Sequence, residues 1–400
     1  MAARYIVPAL AIVGSAAAQS SCSVSGTTTI QSQGDATALA ACQTFTGSIA
    51  IASTAVNQIA LDGIQRISGS LIANNVTQVT ALSGSSLTQI DDSFMLNGLT
   101  ILTSLNFPRL EAVDMIDWEA LPALQGLSFT TGVQQASQVS IQNTQLQSLS
   151  GINLQIVQTM TIANNPYLNE INMQLGNISQ SLILEANGRN VSATFPNLEW
   201  AFNMTFRNVS QVSIPSLASI NGSMGFYANF FSSLAAPNLT SIGQTLSFVS
   251  NEALTNLSFP ELTTVGGGLQ VANNTDLQTI NGFSALKTVG GALDFNGNFT
   301  EVDLPAISDI RGAFNLQSAG DITDACNHFK PLSGSNNVIK GTYTCSGGES
   351  HPGGTGTLSP GTNTGSSSSS SSSAKSSANS LYISGTTGLI GVVAAIFGML

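Results

Sequence analysis

Two hydrophobic residues separated by one other residue recur along most of the chain, at intervals of 20–24 residues. This alternation is the period of a β-strand that buries one face. A repeat of this length cannot bury its own apolar face, so successive copies must stack on one another. Thirteen copies, called rungs here, begin at Ile49, Leu71, Phe94, Met115, Val139, Met160, Leu182, Met204, Met224, Leu246, Leu269, Leu293 and Phe314.

The segments between the rungs are rich in Gly, Ser, Thr and Asn, which disfavour long helices. In the clearest copies a Pro lies between strands and a Gly precedes the rung, as with Pro215 and Gly222 or Pro260 and Gly267. Such a Gly suits a corner with positive φ or a close approach of two turns. The sequence therefore predicts an all-β, right-handed parallel β-solenoid of about 13 turns, with two or three short strands in each turn.

Most rungs are followed within five residues by an Asn, and stacking would align these residues in a column. Asn accepts the left-handed corner conformation at low cost, and its amide can also bridge backbone groups of adjacent turns. Either role is structural. The rung at Met115 lacks the Asn and is predicted to be an irregular surface protrusion. The column comprises Asn75, Asn97, Asn143, Asn165, Asn187, Asn208, Asn229, Asn251, Asn274 and Asn298.

Charged residues make up only 8% of the chain and the net charge is −11, whereas about a quarter of an average domain is charged. A polar but weakly charged surface is typical of secreted glycoproteins, and the lack of a basic patch argues against nucleic acid as a partner. The two histidines, His328 and His351, suit neither a catalytic triad nor a common zinc site. We expect no cofactor and no metal.

Both ends of the chain carry targeting signals. Residues 1–18 have the charge, apolar core and small-residue cleavage site of a secretory signal. Residues 19–345 hold the solenoid, and residues 346–375 form a predicted Ser- and Gly-rich stalk. Residues 376–400 match a glycosylphosphatidylinositol (GPI) anchor signal, with attachment predicted at Ser376 and with Ser377 and Asn379 as alternatives. We therefore expect the secreted protein to lie at the cell surface, on the outer leaflet of the plasma membrane, in the cell wall, or both.

Four cysteines in a secreted chain imply two disulfides. Three pairings are possible. The pairs Cys22–Cys42 and Cys326–Cys345 are favoured, because the solenoid separates the two ends of the chain. Each pair would close one end of the stack, and residues 34–42 include a short helix suited to the N-terminal end.

Cys22, a short helix, Cys42 and then the Gly47-x-Ile49-x-Ile51 motif resemble the start of receptor L domains. The later repeats look like the same leucine-rich-repeat-like module. The whole arrangement of leader, repeats, terminal cysteine pair, Ser-rich stalk and anchor signal is similar to fungal GPI-anchored cell-wall organisation proteins of the Ecm/Sps group. The resemblance implies a role in wall integrity and transfers no catalytic residues. The Cys-rich module of the receptors is absent, so hormone binding is not implied.

The candidate surface residues fall into three groups. The first holds the carboxylates that a carbohydrate-active β-helix enzyme could use, the second the aromatic side chains that could stack on sugar rings, and the third the better N-glycosylation sites. Trp200 is expected in the core column of Ile220 and Ile242, whereas Asn75, Asn208 and Asn298 are expected to be buried sequons. The three groups are Asp91, Asp92, Asp114, Asp117 and Glu119; Trp118 and Tyr227; and Asn177, Asn190, Asn221, Asn238 and Asn256.

The sequence thus favours a non-enzymatic, GPI-anchored surface glycoprotein that supports fungal cell-wall organisation. Its expected partners are the plasma membrane, through the GPI lipid, and a wall polysaccharide or wall protein. Two alternatives remain: a carbohydrate-active β-helix enzyme of the wall, and a surface receptor or adhesin for a protein ligand.

Overall fold

The rungs form the main sheet of the protein. In the computed structural model, which describes residues 22–353, each rung pairs in parallel with the rungs before and after it, in about 13 turns. The parallel β-solenoid predicted from the sequence is therefore confirmed. The strands of the main sheet are Ser23–Ile30, Thr44–Ile51, Leu71–Asn74, Gln89–Asn97, Ala112–Leu121, Gln138–Thr144, Ile156–Ala163, Asn177–Glu185, Trp200–Arg207, Met224–Tyr227, Leu246–Val249, Leu269–Ala272, Leu293–Gly297, Phe314–Ser318 and Tyr343–Ser346.

Further short strands complete the turns. One set precedes the rungs and belongs to the same sheet: Arg66–Ile67, Ser219–Ile220, Ser241–Ile242, Thr264–Val265, Thr288–Val289 and Asp309–Ile310. The other set forms four small parallel sheets: Asn57–Ala60, Val79–Ser83 and Ser104–Asn106; Glu170–Asn172, Ser192–Thr194 and Gln211–Ser213; Ser233–Ala235 and Asn256–Ser258; and Thr279–Ile280 and Glu301–Val302.

The core is a stack of inward-facing side chains that runs through all the turns. Phe206, Phe226 and Phe248 stack face to face at 5.2 and 5.3 Å between ring centroids. In the earlier turns Phe94 meets Trp118 edge-on at 5.6 Å. Aromatic pairs in such geometry add about 0.5–1.5 kcal/mol each beyond the area that they bury. Neighbouring turns are therefore joined by core contacts as well as by the backbone ladder.

The register of the rung at Met115 was predicted wrongly, and a β-bulge explains the error. Phe94 pairs with Ile116, not Met115, and Leu96 pairs with Trp118. Pairing shifts between Ile90 and Ser93, where one strand has an extra residue. A shift of one residue exchanges the two faces of a strand, so Ile116 and Trp118 point into the core and the predicted protrusion does not exist.

Trp200 was expected in the core column and is instead half-buried beside it. Its neighbour Ala201 is fully buried and is the Cα partner of Ile220. The preceding strand pairs irregularly between Ile178 and Ser181, so the usual four-residue spacing to the rung shrinks to three at Met204. The indole therefore lies on the outer face of the sheet.

Eight of the ten residues of the predicted asparagine column divide between two adjacent positions with different roles, while Asn97 and Asn298 belong to neither. The first position takes positive φ, as at Asn75 (53°), Asn143 (56°) and Asn208 (59°). The second is buried and carries a ladder of side-chain hydrogen bonds between turns. The two roles considered for one column thus belong to neighbouring residues. The ladder residues are Asn165 and Asn187 in one run and Asn229, Asn251 and Asn274 in another.

The glycines before the rungs are required by close packing of turns. A Cβ added at Gly266 would lie 2.1 Å from the carbonyl oxygen of Gly243, and one at Gly290 would lie 2.1 Å from that of Gly266. Both distances are far below any real contact. A side chain would therefore not fit at these two corners.

Both ends of the stack are closed as expected. The disulfides are Cys22–Cys42 and Cys326–Cys345, and helix α1, Gln33–Ala38, packs at the N-terminal end. The C-terminal end adds helix α2, Thr323–Phe329, and a 3₁₀ turn, Lys330–Leu332. Strands Ser23–Ile30 and Tyr343–Ser346 extend the ladder beyond the predicted rungs at either end.

The end of the described region stays attached to the solenoid. Glu349 N–H donates to Ser318 O, and Gly353 N–H donates to Gln317 Oε1. Residues 346–353, assigned to the stalk from the sequence, therefore contact the last turns. The predicted leader, the rest of the stalk and the anchor site Ser376 lie outside the described residues. Within residues 22–353, no helix has the length and apolar character needed to cross a membrane.

Candidate functional site

A groove follows the bulged strands on the outer face of the main sheet. One wall comes from Arg66, Gln89, Ala112 and Gln135, which are successive Cα partners in neighbouring turns. They are spaced by 23 residues in the sequence, so each occupies the same position of its turn. Their side chains line a cavity of about 540 Å³, within the range of about 300–1,000 Å³ that is typical of small-ligand sites.

The opposite wall comes from residues two positions further along each strand. Asp91, Asp114 and Ser137 line it, again at intervals of 23 residues. The inward residue between the two walls, such as Ile90 or Val113, belongs to the core. Outward residues alternate with core residues along each strand, so the positions of the core residues also determine which residues face the groove.

An ion pair between two lining residues lies at one end of the groove. Arg66 Nε lies 3.0 Å from both carboxylate oxygens of Asp91, and Arg66 Nη2 lies 2.7 Å from Oδ2. This bidentate contact raises the pKa of Arg66 and neutralises both charges locally. In the next turns, Ser137 Oγ donates to Asp114 Oδ1 at 2.5 Å. The groove therefore carries little net charge.

Four glutamine side chains supply most of the remaining polar groups. None of these four amides hydrogen-bonds to another residue in the part of the chain that the structure describes. Each amide offers two donors and one carbonyl acceptor, so the groove presents several unused hydrogen-bonding groups to a ligand. The residues are Gln89, Gln134, Gln135 and Gln155.

Apolar side chains continue the groove beyond this polar section. Ile156 lines its end and is 60% exposed. The Cα partners of Ile156 in the next two turns are Asn177 and then Trp200. A second cavity of about 450 Å³ lies beside exposed Phe202. Along this face of the sheet, the polar groove is thus followed by a second cavity that lies beside aromatic rings.

Three of the five predicted carboxylates lie outside the groove lining. Asp92 accepts a hydrogen bond from Ser70 Oγ at 2.8 Å, and Glu119 accepts one from Asn97 Nδ2 at 3.1 Å. Burial raises the pKa of Asp117, while its hydrogen bond with Ser140 opposes the shift. The structure therefore brings only Asp91 and Asp114, of the predicted set, to one site.

The two aromatic residues predicted to touch sugars differ in their outcome. Trp118 is fully buried against Phe94 and Phe129, so it cannot stack on a ligand at the surface. Tyr227 is half-exposed, and the guanidinium of Arg207 lies 5.0 Å from its ring centroid. A sugar contact at Tyr227 stays a prediction.

Exposure of the sequons changes one expectation. Asn75 and Asn298 are exposed rather than buried, and Asn208 is half-buried. Asn75 and Asn208 take the positive-φ position, which is the neighbour of the buried ladder position. The reason for doubting these sites was therefore wrong. The predicted acceptors Asn190, Asn221, Asn238 and Asn256 are exposed and Asn177 is half-buried; glycosylation at all five stays a prediction.

Five residues of the groove lining were not predicted from the sequence: Arg66, Gln89, Ala112, Gln135 and Ser137. The constant spacing of 23 residues was an available signal. It was hidden because the register of the bulged turns was assigned incorrectly at Met115. Across residues 22–353, no group of three or more His, Cys, Asp or Glu side chains is placed to hold a metal ion.

Comparison with known proteins gives consistent similarities. Residues 1–40 match the sequence model of the Ecm33 family, described as a GPI-anchored cell wall organization protein. The chain is 43% identical to a cell surface GPI-anchored protein of Arthroderma benhamiae, over 86% of this chain and 87% of that protein. It is 40% identical to Protein ecm33 of Aspergillus fumigatus, over 91% of this chain and 90% of that protein.

A more distant relative is the Sporulation-specific protein 2 of Saccharomyces cerevisiae, which is 31% identical over 77% of this chain and 62% of its own length. No solved structure matches the chain.

Proposed function

Because the chain belongs to the Ecm33 family of fungal GPI-anchored proteins, we propose that it is a non-enzymatic surface glycoprotein that supports cell-wall organisation and integrity. The GPI lipid would hold it at the outer leaflet of the plasma membrane or accompany it into the wall. The long solenoid would then present its outer face to wall components. The names of the full-length relatives, which refer to the cell surface and to wall organisation, support this role.

The proposal that the protein is not an enzyme rests on the contacts of the two groove carboxylates. Asp91 is held by Arg66 through a bidentate contact, and Asp114 accepts a hydrogen bond from Ser137. Glycoside hydrolysis needs one carboxylic acid with a raised pKa and a second carboxylate as base or nucleophile. The bidentate contact engages both carboxylate oxygens of Asp91 with Arg66, so this side chain is not free to act on a substrate. The arrangement suits binding better than hydrolysis.

Deletion of the gene tests the cellular role. The expected result is increased sensitivity to dyes that bind wall polymers, with rescue by the full-length chain. Rescue by a secreted form without residues 376–400 would show whether the anchor is needed. A deletion strain with normal dye sensitivity and normal wall composition would contradict the proposed function.

An assay on purified protein separates this proposal from the enzymatic alternative. The protein is incubated with β-glucan, chitin and mannan, and the products are measured. We expect no turnover. Turnover that Asp114→Asn abolishes, and that the matched variant Asp303→Asn of an exposed carboxylate retains, would establish an enzyme.

A further inference from the structure

We propose that the groove from Arg66 to Ile156 binds a linear, uncharged polysaccharide, with the glycan chain running along the solenoid axis. This inference rests on the proposed wall function and assigns that function to a site and a ligand class. Its support comes from the shape, hydrogen-bonding capacity and charge of the groove, and from the scarcity of N-glycosylation sequons in the turns that form it.

The shape of the groove suits a polymer. Its lining residues come from five successive turns, Arg66, Gln89, Ala112, Gln135 and Ile156. Neighbouring strands lie about 4.8 Å apart, so the groove extends for roughly 19 Å across the strands. It crosses the turns, so a chain of several sugar rings can lie along it and meet an equivalent position in each turn.

The chemistry of the lining suits sugar hydroxyl groups. The unused amides of Gln89, Gln134 and Gln135 provide both donors and acceptors. Hydroxyl groups need both, because each can donate one hydrogen bond and accept others. Ile156, which is 60% exposed, offers apolar surface for the C–H face of a sugar ring at one end of the groove.

The charge of the lining disfavours an ionic ligand. Arg66, the one cation among the groove-lining residues, is paired with Asp91, and Asp114 is the one carboxylate of the lining that has no cationic partner there. A polyanion would find its one cationic group, Arg66, already paired with Asp91, and a polycation would find Asp114 as its one unpaired counter-charge. An uncharged polymer brings no charged groups of its own, so no ionic group of the ligand has to be desolvated when it binds.

The distribution of N-glycosylation sequons leaves this part of the solenoid accessible. Ten sequons occur in the chain, yet residues 76–176, which supply most of the groove, contain none. Asn177 is the Cα partner of Ile156, so a glycan there would border the groove at its far end. Host glycans would therefore cover the later turns and leave the groove free for a polymer.

A binding measurement with matched variants tests the inference. The purified protein is titrated by calorimetry with short oligomers of β-1,3-glucan, chitin and mannan, and with a polyanionic oligosaccharide as a further probe. We expect one uncharged series to bind, with affinity rising with chain length up to the number of rings that fill the groove. The series that binds identifies the wall polymer.

Two variants locate the site. Ala112→Trp fills the middle of the groove and is expected to weaken binding at least tenfold. Ser241→Trp is the control, because Ser241 lies in the column that runs on through Trp200 and Ser219, outside the groove. The double variant Gln89→Ala/Gln135→Ala removes hydrogen-bonding groups without blocking space and is also expected to weaken binding about tenfold. Circular dichroism and thermal unfolding confirm that each variant is folded.

Three results would overturn the inference: no binding of any uncharged oligomer at millimolar concentration, preferred binding of the polyanion, or equal loss in Ala112→Trp and Ser241→Trp. The proposed wall function is tested separately. If Ala112→Trp fully rescues the deletion strain, the groove is not the working site and the family role still holds. If the wild-type gene is itself dispensable for the wall, the proposed function fails whatever the groove binds.

Discussion

Replacing Asn251 by Ala tests the buried asparagine ladder, which we regard as the main polar support of the stack. Asn251 is fully buried and makes four side-chain hydrogen bonds to neighbouring turns. Its Nδ2 donates to Phe226 O and to Asn274 Oδ1, both at 3.0 Å. Its Oδ1 accepts from the backbone N–H of Asn229 at 3.0 Å and from Asn229 Nδ2 at 2.9 Å. Alanine removes all four bonds and leaves their partners buried.

The expected cost follows from these contacts. A hydrogen bond contributes about 1 kcal/mol net, and each partner left buried and unpaired costs about 1–3 kcal/mol. Four lost bonds therefore predict a loss of roughly 4 kcal/mol in the free energy of unfolding. Asn274 makes three comparable side-chain bonds, to Phe248 O and to two groups of Asn251. Asn274→Ala should consequently cost about 1 kcal/mol less than Asn251→Ala.

Two measurements check this prediction. Guanidinium unfolding gives the stability of each variant, and amide hydrogen exchange shows where it is lost. Exchange at the backbone N–H of Asn229 should increase most, because it loses its acceptor directly. Asn281→Ala is the control, since Asn281 is exposed and is not part of a sequon; its effect should stay within about 0.5 kcal/mol. The reasoning is refuted if Asn251→Ala costs no more than this control, or if Asn274→Ala costs clearly more.

Three further predictions concern other parts of the fold. Trp118 is buried and its Nε1 lacks a hydrogen-bond partner within residues 22–353, so Trp118→Phe should cost much less than the roughly 3–5 kcal/mol of Trp118→Ala in thermal unfolding; equal costs would contradict this. Hydrogen bonds from Lys340 and Arg311 lower the pKa of Asp309. The stabilisation that this carboxylate gives the folded protein is therefore present above the unfolded pKa of about 3.9 and is lost as pH falls through the folded pKa. Asp309→Asn should flatten the acid limb of a stability–pH curve, and an unchanged limb would argue against the pairing. Replacing Cys326 and Cys345 by Ser should lower stability by about 2–4 kcal/mol and increase exchange first in the last turns, whereas uniform exchange along the solenoid would show that the disulfide does not act as a local cap.

The sequence predicted the fold because its dominant signal is periodic. Ile49 and the later rungs, apart from Met115, lie in one column of Cα partners, since a buried strand face constrains every second residue. Cys22–Cys42 and Cys326–Cys345 followed from the separation of the chain ends. These features depend on local sequence and on the stacking of equal units.

The errors have one physical origin. A β-bulge adds a residue to one strand and leaves no clear mark in the hydrophobic pattern. At Met115 and at Trp200 the bulge shortened the spacing to the rung, so inward and outward residues were exchanged. Trp118 was consequently placed at the surface and Trp200 in the core, which is the reverse of the structure. The groove lies along these bulged strands, so the part of the site that sequence reasoning missed is also the part where periodicity fails.

The most direct test of the account is binding of the protein to isolated cell walls from the deletion strain. We compare three proteins: wild type, Ala112→Trp and Ser241→Trp. The measured quantity is the fraction of each protein that the walls retain after washing with increasing amounts of a competitor, which is either the uncharged oligomer or the polyanionic oligosaccharide. We expect the wild-type protein and Ser241→Trp to be retained and to be displaced by the uncharged oligomer, while retention of Ala112→Trp falls at least tenfold. Equal retention of all three proteins, or displacement by the polyanion alone, would contradict it.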